Sequence, residues 1–375
     1  MIPLWKLKRE LERIKQQLRL PLSLAAALVE TRLRVGIGKR RHAGHRQRSH
    51  RLSAGQIARL PDIALVLIYQ PAGLPASLFE TCRHLVTQGF APFIVANMAL
   101  QEDDRIRLLE TSHLIMERPN VGYDFGGYRD GILHLLDEGV RPDNLLVMND
   151  SIWFPLFDDA TLLAEIRAQP HDLVGPLYND RVKKPHLSHL QSYMFSFKRA
   201  AIDRPAFRTY WERLVTSANK QLVIRMCEMR MTGAFRDAGF SVGYKWTAAD
   251  GVTALRALPA ADLRRALDYM GVLEPKIAQT LELLRAELVT DRATGTATEA
   301  GGEAAVLDAL LDRHPAAPYL LKLPPGLLID AVRLPFLKKD RHLPYQLQRA
   351  AFVQDPPATA VNPVIQAEIA GWDRA

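Results

Sequence analysis

Between residues 62 and 148 the chain alternates short, wholly apolar runs with amphipathic stretches, and that rhythm constrains the fold more than any other feature. IALVLIYQ, directly after Asp62, is a continuous apolar run of strand length. A Pro/Gly loop follows it, and residues 76–87 read as a helix. APFIVANMAL then predicts a second strand, residues 102–110 a second helix, HLIMERP a third strand and DNLLVM a fourth. Strand and helix in alternation imply an α/β fold, a parallel or mixed sheet flanked by helices.

Beyond this core, HDLVGPLYND predicts a further strand, residues 179–189 a polar loop, and SYMFSFKR an alternating strand. After Pro205 the chain reads as largely helical, with Trp211, Leu214, Val223, Ile224, Met226 and Met229 as core positions. Residues 290–304, rich in Gly, Thr, Ala and Glu, read as a flexible segment. At the amino end Leu4, Leu7, Leu11, Ile14 and Leu18 share one helical face, ringed by Lys6, Lys8, Arg9, Arg13, Lys15 and Arg19. That is a basic amphipathic helix. The expected organisation is a basic helical arm over 1–60, an α/β domain over 61–255 and a helical carboxyl-terminal region over 256–375.

The formal charge of +8 suggests nucleic acid until it is located. Residues 32–51 hold eight Lys/Arg and no acid, and removing those eight from 49 basic residues leaves 41, equal to the acidic count. The basicity belongs to one arm without aromatic residues to stack on bases, so nucleic acid is disfavoured against packing on the protein body or attachment of residues 1–51 to an anionic membrane surface. Two cysteines, Cys82 and Cys227, are too few for a disulfide framework and too far apart for a zinc spacing. No apolar run reaches the length of a membrane span. The expected location is cytoplasmic, peripheral at the inner face of the plasma membrane.

Residues 118–156 concentrate the chemistry. Asp150 follows an apolar strand between Asn149 and Ser151, so its carboxylate should emerge at a strand end among other oxygen atoms. That suits Mg2+ or Mn2+ and the phosphates it bridges, although Asn-Asp-Ser is equally an ordinary turn or cap. Asn120, Gly122 and Asp124 read as a tight turn, with Gly126 and Gly127 entering a helix whose first N–H groups could meet a phosphate or sugar. In KKPHLSHLQS, Lys183, His189 and Gln191 offer a cation and donors. Glu228, amid apolar residues, would be costly unless it works or pairs with Arg225 or Arg230.

The ordered segments RPNVGYDFGGYRDG, LLVMNDSIWFPL, HLQSYMFSFKR, YWERL and VIRMCEMRMTGAFRDAGF resemble the rhamnan synthesis F family of bacterial glycosyltransferases. HPAAPYLLKLPPGLLIDAVRLPFLKKD resembles the same family's closing element, Pro335 to Lys339 matching its proline, phenylalanine and lysine motif. The resemblance runs from about residue 63 to about residue 343 and implies a GT-A-like, Rossmann-like sheet that transfers a sugar, often rhamnose, from a nucleotide donor such as dTDP-rhamnose. The acceptor would be a growing or lipid-linked glycan of cell-surface polysaccharide or lipopolysaccharide. Where many metal-dependent GT-A enzymes carry two aspartates flanking one residue, this chain has Asn149, Asp150 and Ser151. On this reading Asn120, Gly122, Asp124, Gly126, Asn149, Ser151, Lys183, His189 and Gln191 line the donor site and Glu228 is the base. Asp150 with a divalent ion, or Lys183 with His189, neutralises the diphosphate. A non-catalytic scaffold subunit of a membrane-associated assembly complex is the alternative.

Overall fold

A computed structural model describes residues 50–181, 185–217, 219–293 and 302–373. The amphipathic helix and most of the basic arm, and with them Lys183, lie outside the described residues. Four apolar runs form the expected strands β2 (Asp62–Ile68), β3 (Phe90–Ala96), β4 (Leu114–Glu117) and β5 (Asn144–Asn149). Between them run helices α1 (Ala76–Thr87), α2 (Glu102–Thr111) and α3 (Tyr123–Asp137).

The chain enters the sheet earlier than the expected arm boundary at residue 60. Strand β1 (Arg51–Ala54) pairs antiparallel with β4, Leu52 opposite Met116, and forms one edge. The order is β1, β4, β3, β2, β5, then β9 (Met194–Lys198), β7 (Leu173–Asn179) and β10 (Val242–Trp246), with β8 (His189–Leu190) paired antiparallel to the end of β7 off this path. Strands β2 to β5 are mutually parallel, β9 is antiparallel to both its neighbours, and β7 and β10 are parallel. Strand β10 departs from the reading of the region after Pro205 as largely helical. Its five residues, VGYKW, are held by register with β7, Val242 opposite Leu173, rather than by an apolar run of their own.

Past Asp62, strand β2 is wholly apolar because both faces of the sheet are covered. Ala64, Val66 and Ile68 face α1, where Leu78, Phe79, Cys82 and Leu85 are buried. Ile63, Leu65 and Leu67 face α3 and a cluster containing Tyr128, Phe207, Trp211 and Phe235. The first of these layers also takes in Leu267, Leu307, Leu328, Phe352 and Ile365, so the carboxyl-terminal region shares the core of the sheet instead of forming a separate one.

That region is not purely helical. Strand β11 (Leu337–Lys338) pairs antiparallel with β6 (Ile152–Trp153), just past the end of β5. A buried polar knot fastens it. Lys339 Nζ lies 3.2 Å from Glu368 and donates to Ser77 Oγ at 2.7 Å, while Glu368 also accepts from Ser77 N and Trp153 Nε1. Of the expected flexible segment, residues 290–293 end one helix and Glu303 begins the next; those between lie outside the described residues.

Chain order reverses at β2. From β2 the chain steps outward to β3 and β4, then returns across α3 to place β5 on the other side of β2. The return is tight: Gly126 N donates to Gly122 O, and a Cβ on Gly126 would overlap the carbonyl oxygen of Val121. That oxygen already accepts from Arg118 at 2.8 Å. Gly126→Ala, favourable by helix propensity alone, is therefore expected to destabilise the fold by about 1–3 kcal/mol in denaturant unfolding; an unchanged or raised midpoint would contradict this packing.

Candidate active site

Strand order reverses between β2 and β5, and the crevice outside the carboxyl ends of the strands at such a reversal is the usual ligand position in open α/β sheets. Asp150 leaves β5 there. Its backbone N–H donates to Leu67 O, and its Oδ2 accepts from Tyr69 N and from Gln70 Nε2, each at 2.9 Å. Tyr69 and Gln70, read from sequence only as the tail of a strand, thus hold the acid in place.

Asn149 orders the other side. Its Nδ2 donates to Asp124 Oδ2 at 3.0 Å, and its Oδ1 accepts from the Ser151 N–H and hydroxyl at 3.1 and 2.6 Å. Asp124 stands in the first turn of α3, which begins at Tyr123 because Gly122 takes a left-handed φ of 81°. A side chain at Gly122 would run into Thr216.

Opposite these residues stands Lys338, delivered by β11. Its ammonium lies 3.3 Å from Ser151 Oγ and 4.1 Å from the centre of the Tyr193 ring. Glu228 approaches from a π-turn, Ile224–Glu228, in the helical run that continues as Met229–Asp237. Such turns recur at functional sites. Neither Arg225 nor Arg230 pairs with Glu228 among the described residues; its charge is felt instead by Asp124, His189 and Lys338.

The electrostatics follow from crowding. Burial pushes the Asp124 carboxyl up to about 6, and the charges of Asp150 and Glu228 push it the same way. Burial also raises Asp150, against the hydrogen bonds from Tyr69 and Gln70. Lys338 is lowered to about 8 by burial, with Glu228 and Asp124 acting in opposition. Burial lowers His189, whose Nδ1 lies 2.7 Å from Leu187 O.

Of the residues singled out in the sequence, Asp124, Asn149, Asp150, Ser151, His189 and Glu228 converge. Three others stand differently. Asn120 is exposed and accepts from Asn97 at 3.3 Å, Gly126 spends its N–H inside the helix, and Gln191 is buried with its N–H on Leu177 O. Lys338 and Tyr193 complete the site; in the sequence they stand only as members of family-like segments, and no local pattern assigns either to the donor site. Among the described residues, no three His, Cys, Asp or Glu side chains gather as a metal cluster.

A carboxyl near 6 in the fold and 3.8 as its ordinary value keeps a proton that the unfolded chain releases between those pH values. Stability therefore falls as pH rises through that window. Asp124→Asn keeps an oxygen for Asn149 and removes the charge. Its unfolding free energy is expected to exceed the parent's by on the order of 1–3 kcal/mol at pH 7.5, with the difference closing near pH 4; a difference independent of pH would refute this account.

The model of the family "Rhamnan synthesis protein F" matches residues 93–251, which include Asp124, Asn149, Asp150, His189 and Glu228 and stop short of Lys338. The uncharacterized protein y4gN of Sinorhizobium fredii is 35% identical over 314 residues, covering 84% of this chain and 79% of that protein. The virulence protein VirA of Vibrio anguillarum is 28% identical over 136 residues, 35% of this chain and 42% of that protein. Among solved structures, mannose-1-phosphate geranyltransferase from Thermus thermophilus is similar over 50% of this chain and 69% of its own, at 13% identity and a TM-score of 0.29. That last likeness is too slight to bear on the fold. Five ordered sequence segments, a family match across the heart of the sheet and a relative alike along most of its length lead to one conclusion: the chain belongs to the rhamnan synthesis protein F family.

Proposed function

We propose that this chain is a glycosyltransferase that uses its sheet in the GT-A manner. It moves a deoxyhexose, rhamnose in the first instance, from a nucleoside diphosphate donor such as dTDP-rhamnose to a growing glycan of the cell surface. The observation that carries the reading is the meeting of Asp124, Asp150 and Glu228 with Lys338 at the strand-order reversal, in a member of a family named for rhamnan synthesis.

Transfer to a sugar hydroxyl with inversion needs a base for the acceptor proton and charge neutralisation for the departing diphosphate. Glu228, whose charge bears on Asp124, His189 and Lys338, is the group assigned to the first task. Asp124 and Phe125 stand in the first turn of α3, so the positive end of that helix lies beside the Asp124 and Asn149 pair. His189, its proton affinity lowered by burial, serves as a neutral hydrogen-bonding group for donor or acceptor.

The side chains suit a divalent ion at Asp150 poorly. One oxygen of Asp150 is taken by two N–H donors, Asn149 turns its NH2 toward Asp124, and an ammonium already stands at Ser151.

Among the described residues no helix is long and apolar enough to cross a membrane. The basic residues 1–51 would bring the protein to the inner face of the membrane, where a lipid-linked acceptor would lie.

A panel of nucleotide sugars that includes dTDP-rhamnose, read both as protection against thermal unfolding and as transfer to acceptor, tests the reading. Glu228→Gln is expected to lower turnover by about a hundredfold to ten-thousandfold while leaving donor protection in place. Full activity in that variant would remove Glu228 from the mechanism, and no response of the parent to any donor would favour a scaffold subunit.

A further inference from the structure

Two adjacent lysines end the β11 segment, and the fold treats them differently. Lys339 is spent on structure, paired with Glu368 at 3.2 Å and bonded to Ser77. Lys338 has no carboxylate within ion-pair distance among the described residues, only the Ser151 hydroxyl and the face of the Tyr193 ring. A desolvated ammonium without a counter-ion is costly unless it meets an anion at some stage of function.

A second orphan lies beside it. The hydroxyl of Tyr193 is buried and has no hydrogen-bond partner among the described residues. Glu228, Tyr319 and Tyr345 lie near enough for their charges to bear on its ionisation. Buried hydroxyls are nearly always satisfied, and an exception calls for a missing partner. An ammonium and an unpaired phenol, 4.1 Å apart from nitrogen to ring centre and next to the β5 strand end, together make a donor pair for phosphate oxygens.

We propose that Lys338, with the Tyr193 hydroxyl beside it, receives the diphosphate of the nucleotide donor and takes the part that a divalent metal would otherwise play. The assignment rests on the glycosyltransferase reading and deepens it. As the bond between the anomeric carbon and the diphosphate oxygen breaks, its electron pair stays on the diphosphate. Lys338 offsets the added negative charge and keeps its own protons, the acceptor oxygen forms the new bond to the anomeric carbon, and the acceptor proton passes to Glu228.

The geometry also explains why the cation comes from so far along the chain. Asn149, Asp150 and Ser151 fill the strand end with acceptor oxygens, and the pairing of Lys338 with Ile152 is what brings a positive charge to them. The ligand recognised is a diphosphate, so inorganic pyrophosphate is a probe that does not depend on the donor's base.

The test is calorimetric titration of the full chain with pyrophosphate and, separately, with dTDP, UDP, GDP and CDP, each in EDTA and in magnesium. Parent protein, Lys338→Met and Lys338→Arg are compared, with the ligand-free melting temperature of each recorded. The parent is expected to bind pyrophosphate and at least one nucleoside diphosphate in EDTA. Lys338→Met should weaken both by about tenfold to a hundredfold with a melting temperature no lower than the parent's, because it removes a desolvated charge. Lys338→Arg should recover most of the loss.

Binding by Lys338→Met within about twofold of the parent, or parent binding that vanishes in EDTA, overturns the assignment and leaves the glycosyltransferase reading standing. A folded parent that binds none of these ligands in either buffer overturns both.

Discussion

The buried contact of Lys339 with Glu368 and Ser77 is the fastening on which the rest of the site depends. It joins α1, the β6 strand end and the last helix at one point, and the short β11 strand is registered against β6 by it. A two-residue antiparallel pair has little stability of its own. The polar knot supplies what the ladder lacks, and every hydrogen-bonding group of Glu368 that faces inward finds a partner. Removing one member would leave a buried charge uncompensated, which is the expensive way to lose an ion pair.

With β11 held, the crevice at β2 and β5 becomes electrostatically distinctive. Three acids and a lysine influence one another there under burial, and the protein accepts an Asp124 carboxyl raised to about 6 and a Lys338 ammonium lowered to about 8. Perturbed groups of this kind gather where binding or chemistry is done. Asp150 stays anchored by Tyr69 and Gln70 from the neighbouring strand end, so the reversal in strand order both opens the crevice and furnishes its fixed polar groups.

Sheet and site were legible in the sequence to different depths. Strands β2, β3, β4 and β5 stood out because both their faces are buried, which leaves an uninterrupted apolar run. Strands β1, β10 and β11 did not: RLSA and VGYKW lack such a run, and the two residues of β11 exist as a strand only through their partner, far back in the chain. The acids were recognisable from position: Asp150 at a strand end, Asp124 in a tight turn before a helix and Glu228 in an apolar helical stretch. Lys338 was visible only as part of a motif, because its place beside Ser151 depends on a non-local pairing that no local pattern records. Gly126 illustrates the opposite case, a glycine suggestive of a phosphate loop whose actual demand is the close approach of the Val121 carbonyl.

The distance along the chain between Ser151 and Lys338 also sets an order of assembly. The central strands and α3 can pair as they leave the ribosome, but 187 residues separate the two halves of this contact, and 291 separate Ser77 from Glu368. At roughly 5–20 residues per second, the acidic strand end waits on the order of ten seconds or more for its cation. During synthesis the chain therefore passes through a period with a nearly complete sheet and an unbalanced negative crevice. Completion of the fold and completion of the site are one late event.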